Sequence, residues 1–441
     1  MFGEELPSLL TEIPGPRSAA LAETLSQVEC PALTARRARR KEASGASHDP
    51  ISWQSARGAN VRDVDGNVFV DLTAGFGAAM FGHAHPSVVK ALSIQQENLL
   101  HALGDVHPSD TKVQLLKELA RRAPFPAARV ILGLSGADAI EAALKTAVLY
   151  TRRPGVIAFE GGYHGLSHGP LAACGYSEGF RAPFQAQLNQ HVAFARFPRH
   201  ADELEACLES VARAFATLPE NVGALLVEPI QGRGGVHVPP AGFLQELSEI
   251  CKQQGALLIV DEIYTGLGRT GPTWLHLEMG AEADLICLGK ALGGGVAISA
   301  CLGREEVMRA WGDPGGEAIH TSTFLGNPPA CAAALSVLAE FERMDVGARA
   351  VERGERMRRA IERVPGVAVR GRGLLLGVEL TKVEAEANPA RVLWLTRALL
   401  EKGFITSPGG SPPSVLCLTP PLCITDAQID AFAQALAECL S

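Results

Sequence analysis

Two short apolar runs constrain this chain most: residues 256–260 (ALLIV) and 285–288 (LICL). Both are too short for a stable helix. Both are rich in Ile, Leu and Val and are bounded by glycine or polar residues, as strands buried on both faces are. The first runs into Asp261-Glu262 and the second into Gly289-Lys290. An acid and an amine therefore leave the carboxyl ends of buried strands. In an open α/β sheet, that edge is where ligands bind.

From about residue 110 to 325 the pattern alternates. Helices are expected over 111–122, 135–150, 203–217 and 243–254. Strands over 128–132, 155–159 and 222–227 interleave with them. Such alternation predicts an α/β fold: a mostly parallel sheet with helices on both faces. Upstream, residues 18–28 have helical periodicity, and Asp65-Gly66 between alternating runs predicts a hairpin. Residues 73–90 read as a glycine-rich loop entering a helix. After Asn327, helices are expected over 330–343 and 347–363, strand-like runs over 367–370 and 374–379, then a helix (390–402), a strand (415–418) and a last helix from Asp426. This last third reads as a smaller α+β domain. The expected division is 1–75 (contributing to the smaller domain), 76–329 (the large ligand-binding domain) and 330–441.

With 441 residues, 47% hydrophobic and 20% charged, there is ample core for more than one domain. A net charge of −8 and a single short basic run at 36–41 argue against nucleic acid as partner. The ten cysteines form no CxxC pair and are scattered through apolar stretches, as in a reduced, cytoplasmic chain. No apolar run approaches the ~18 residues of a membrane span, and the acidic amino terminus does not read as a signal peptide.

Four stretches carry chemistry. Ser135-Gly136-Ala137 opens a helix after a strand. Ser135 can cap that helix, and its free N–H groups favour a phosphate; an ordinary capped helix would read the same. Asp138 in the first turn would oppose a phosphate slightly, or serve the cap. Tyr163-His164 follows a strand end, where an aromatic can stack on a flat ring or simply fill a turn. Glu228 ends another strand, with Arg233 just beyond; a solvated loop is the plainer reading of that arginine. Asp261 and Lys290 complete the set. A buried acid that pairs with a pyridinium nitrogen, and a lysine that forms a Schiff base, are what pyridoxal phosphate (PLP) chemistry needs. His83 and His85 in GHAHP lack a third ligand nearby, so no metal is expected. A hydrolase-type nucleophile elbow is not expected either.

Together these stretches resemble the class III aminotransferases, which are fold-type I PLP enzymes. The resemblance rests on DVDGNVFVDL (63–72), GHAHP (82–86), SGADAIEAALK (135–145), GGYHG (161–165), VEPIQG (227–232), LLIVDEIYTGLGRTG (257–271), LICLGKALGGG (285–295), STFLGNP (322–328), GRGLLLGVEL (371–380) and TPPLCIT (419–425). It implies a seven-stranded-type central sheet, with PLP as cofactor, and an amino group moving from an amine or amino acid to a 2-oxo acid. A PLP racemase or epimerase on the same scaffold is the alternative. By the same resemblance, Lys290 carries the Schiff base and Asp261 pairs with the ring nitrogen. Ile263 and Tyr163 cover the ring faces, with His164 and Tyr264 beside them. Ser135, Gly136 and Ala137 hold the phosphate, and Glu228 shapes the site. Ser322 and Thr323 imply a homodimer, Thr323 reaching the neighbouring subunit's phosphate.

Four positions depart from the family, and all fall on the substrate side. Arg233 stands where relatives often have a glutamate. Cys417 stands where they often have the arginine that pairs with that glutamate and binds a carboxylate. Phe76 replaces a tyrosine of ornithine-type enzymes, and Leu166 replaces a second carboxylate-binding arginine, which argues against ornithine as donor. Arg233 is therefore expected to supply the carboxylate contact itself, because a guanidinium suits a carboxylate.

Overall fold

Both apolar runs are strands, Leu257–Asp261 and Leu285–Leu288, lying side by side in parallel. The first starts one residue later than expected and takes in Asp261 itself. They sit at the middle of a seven-stranded sheet. Across it the order is Ala128–Gly133, Ser299–Arg304, Leu285–Leu288, Leu257–Asp261, Val222–Val227, Gly155–Phe159 and Val192–Ala195. Ser299–Arg304 alone runs antiparallel to its neighbours. The run Gly293-Gly294-Gly295 accounts for this: Gly294 and Gly295 have φ of 58° and 104°, and the chain turns back so that Cys301 faces Cys287.

The computed structural model describes residues 2–218, 221–312, 315, 317–381 and 388–441. The sheet belongs to a unit made of residues 86–347; residues 1–85 and 348–441 form a second unit. In the first, helix Gly136–Thr151 lays Ala139, Ala142, Ala143 and Ala147 on one face of the sheet, against Ala224, Leu226, Ile259 and Cys287. Small residues let the helix come close. The alternate strand residues point the other way. There Phe159 meets Phe243 of helix Phe243–Gln254, with ring centroids 5.6 Å apart. Each fully buried aliphatic side chain in these layers contributes about 1.5–3 kcal/mol.

The second unit holds two four-stranded sheets. One runs Trp53–Arg57, Asn60–Asp63, Val68–Asp71 and Phe404–Ile405; the other runs Val367–Arg372, Leu375–Leu380, Val415–Leu418 and Ser407–Gly409. The expected hairpin joins Asn60–Asp63 to Val68–Asp71. Its turn residue Asp65 accepts from Arg17 N and Ser18 N, capping helix Pro16–Val28. His83 of the GHAHP run binds Asp71 (2.8 Å) and meets Trp53 edge-on. Cys417 is buried, paired between Gly377 and Ser407. Phe76 is exposed, with φ of 60°. Among the described residues, no helix is long and apolar enough to cross a membrane.

Candidate active site

Four strand ends and one helix start supply the site, all within residues 86–347. Asp261, the last residue of its strand, is buried. Its Oδ2 lies 2.8 Å from His164 Nδ1, and its Oδ1 accepts from Ile263 N at 3.1 Å. His164 is buried too, and its Nε2 has no hydrogen-bond partner among the described residues. Glu262 points the other way, to His276 (2.9 Å) and Thr265, in a second buried cluster. Successive strand residues face opposite sides, so Asp261-Glu262 serve different neighbourhoods.

Lys290 follows Gly289 directly after its strand and has φ of 40°, a left-handed conformation that costs a non-glycine residue energy. Its Nζ stands 4.1 Å from the centre of the Tyr264 ring. Ile263 connects these groups. A Cβ built on Gly136 would come within 2.9 Å of Ile263 Cδ1, and one on Gly289 within 3.3 Å of Ile263 Cγ2. Ile263 thus packs against both the helix start and the residue preceding Lys290, while its own N–H binds Asp261.

The helix start is a capping box. Ser135 Oγ accepts from Asp138 N, and Asp138 Oδ2 accepts from Leu134 N and Ser135 N. Asp138 therefore serves the cap. The N–H groups of Gly136 and Ala137 are left without an acceptor among the described residues.

Glu228 is buried and joins two loops. Its Oε1 accepts from Tyr163 N (2.9 Å) and its Oε2 from Gly232 N (3.1 Å). Burial pushes its carboxyl up to about 7, the Asp261 charge adding to the rise and His164 opposing it. Arg233 stacks on Tyr163, its guanidinium 4.2 Å from the ring centre. The sequence alone did not single out Tyr176, which lies 5.1 Å beneath the same guanidinium. A bridge between Glu160 and Gly175 carries Tyr176 there, and no local periodicity announces such a pairing. Ser322 and Thr323 are exposed, next to Thr321, which hydrogen-bonds Asp105. Phe76 and Cys417 belong to the other unit. Residues 165–169 do spell G-x-S-x-G, against expectation. Ser167, however, precedes the short helix His168–Ala172 rather than ending a buried strand, so no nucleophile elbow forms.

Two free amide donors at a helix start suit a phosphate. A buried carboxylate suits a protonated ring nitrogen, and an amine at a strand end suits an aldehyde. The residues present fit PLP.

Comparison with known proteins agrees with that chemistry. The family model "Aminotransferase class-III" matches residues 43–440. An acetylornithine aminotransferase of Methanopyrus kandleri is 38% identical over 336 residues, covering 76% of this chain and 82% of the relative. An alanine/serine racemase of Pyrococcus horikoshii is 32% identical, covering 96% and 90%. The crystal structure of an amine transaminase from an uncultivated Pseudomonas species, in its PLP-bound form, superposes with a TM-score of 0.80. It is 27% identical, covering 88% of this chain and 94% of that one.

Proposed function

The chain belongs to the class III aminotransferases, and from that membership we propose how its own residues carry the reaction. It is a PLP-dependent aminotransferase of fold type I, passing an amino group from an amine or amino-acid donor to a 2-oxo acid. PLP, when bound, supplies an aldehyde that takes up the amino group and a ring that accepts the electrons released at the donor Cα.

Lys290 is the covalent attachment point. With the cofactor bound, Lys290 would hold its aldehyde, and its Nζ, when free, would take the proton from the donor Cα. Asp261 holds the proton on the ring nitrogen, and His164 fixes the orientation of that carboxylate through the 2.8 Å contact. Gly136 and Ala137, with Ser135, receive the phosphate. Ile263 and Tyr163 supply flat apolar walls, and Tyr264 seats the lysine amine. Glu228 ties the Tyr163 loop to the Gly232 loop. Arg233, Phe76 and Cys417 are assigned to the substrate side. Thr323, with Ser322 beside it, is assigned to the phosphate of a second copy in a homodimer, consistent with their exposure in the single chain. The ten cysteines, none of them in a disulfide, favour a cytoplasmic location.

The observation that carries this reading is the position of Ile263. Through it the helix start at Gly136, the buried Asp261 and the residue preceding Lys290 come together. Purified Lys290→Ala should lose both the yellow colour of the bound cofactor and turnover. Survival of both would show that another residue holds the cofactor.

A further inference from the structure

Arg233 has an environment unlike that of a solvated loop arginine. The side chain is half-buried, and its guanidinium carbon lies 4.2 Å from the ring centre of Tyr163 and 5.1 Å from that of Tyr176, two rings that meet edge-on at 5.8 Å. Among the described residues it makes no ion pair and no hydrogen bond. Arg181, on the adjoining segment, shows the contrast. It stacks on Phe194, but its Nη1 is taken up by the Cys174 carbonyl. Stacking covers the faces of a guanidinium and leaves its rim of N–H donors pointing outward in the plane. Such a rim matches a carboxylate, which accepts two parallel bonds.

Its position relative to the amine is also constrained. A Cβ on Gly232 would come within 2.9 Å of Tyr264 Cδ1, and Lys290 Nζ lies over that same ring. One tyrosine side chain therefore links the arginine's loop to the reactive amine. The arginine and its platform are held by one group, because Glu228 accepts from both Gly232 N and Tyr163 N. The acids around it are already engaged: Glu228 with these two loops and Asp261 with His164 and Ile263. No carboxylate among the described residues pairs with Arg233.

We propose that Arg233, clamped on Tyr163 and Tyr176, binds the carboxylate of the substrate in a bidentate grip and thereby selects amino acids and 2-oxo acids over simple amines and ketones. The assignment rests on the aminotransferase reading of the Lys290 site.

The test uses holoenzyme of the wild type, Arg233→Ala and Arg233→Lys. Alanine, glutamate and 4-aminobutyrate are each compared with the amine in which methyl replaces the carboxylate. The rate of cofactor bleaching by donor alone is measured, and propionate is titrated separately by calorimetry. In Arg233→Ala, preference for the carboxylate-bearing donor should fall at least ~10-fold and propionate should bind at least ~10-fold more weakly. Arg233→Lys should recover part of both, since a lysine keeps the charge but not the fork. An unchanged preference together with unchanged propionate affinity in Arg233→Ala overturns the proposal. If the wild type is bleached by no donor of any kind, the aminotransferase reading falls; the propionate titration still decides the role of Arg233.

Discussion

Glu228 is the residue whose charge state most affects the site's architecture. Its two oxygens hold two loops through backbone N–H donors, yet burial raises its carboxyl to about 7 from an ordinary 4.5. The native state therefore binds this proton more tightly than the unfolded chain does. The associated stability is complete below about pH 4.5 and is lost as pH rises through about 7. Glu228→Gln removes that dependence. Thermal or urea unfolding at pH 5 and pH 7.5 should show the wild type gaining on Glu228→Gln at the lower pH, by on the order of 1–3 kcal/mol. A gain at the higher pH would reverse the assignment. Residues of this kind were legible in the sequence because they end strands: Asp261, Glu228 and Lys290 each terminate or closely follow an apolar run. Arg233 was legible as a departure from the family pattern. Its platform was not, because Tyr176 reaches it through the long-range bridge at Gly175.

At the scale of elements, helix Gly136–Thr151 shows how local chemistry sets a binding surface. Asp138 satisfies Leu134 N and Ser135 N, so the donors left for a ligand are those of Gly136 and Ala137. Asp138→Ala leaves two backbone donors without their acceptor. It should cost about 1 kcal/mol of unfolding free energy, while Asp138→Asn, which retains an acceptor oxygen, should cost less. Equal losses in chemical denaturation would show that the charge, rather than the cap, matters. Most elements were readable from periodicity and breakers, but two strands of the seven-stranded sheet were not. Val192–Ala195 is a four-residue edge strand, too short for its alternation to stand out. Ser299–Arg304 follows the glycine run and reads as its continuation. Only the reversal at Gly294 and Gly295 makes it a strand, antiparallel to the rest.

At the scale of the whole molecule, the sequence signalled two kinds of architecture but not which distant segments join. The strand Phe404–Ile405 pairs in parallel with Val68–Asp71, so one sheet draws on both ends of the chain. No local pattern specifies such a partner. The same scale separates transamination from racemisation, since scaffold and cofactor suit both. The outcome depends on where a proton is delivered next: to the cofactor in transfer, or to the donor Cα from the face opposite the one that lost its proton in racemisation. If the proton goes to the cofactor, a donor alone, without any 2-oxo acid, converts the enzyme once and stops. The yellow colour fades in proportion to enzyme, and the remaining donor keeps its handedness. Incubating holoenzyme with a reactive L-amino acid in deuterated water should therefore give bleaching with a stoichiometric yield of oxo acid. Continued loss of optical rotation with the colour retained would assign the proton's return to Cα and make the enzyme a racemase.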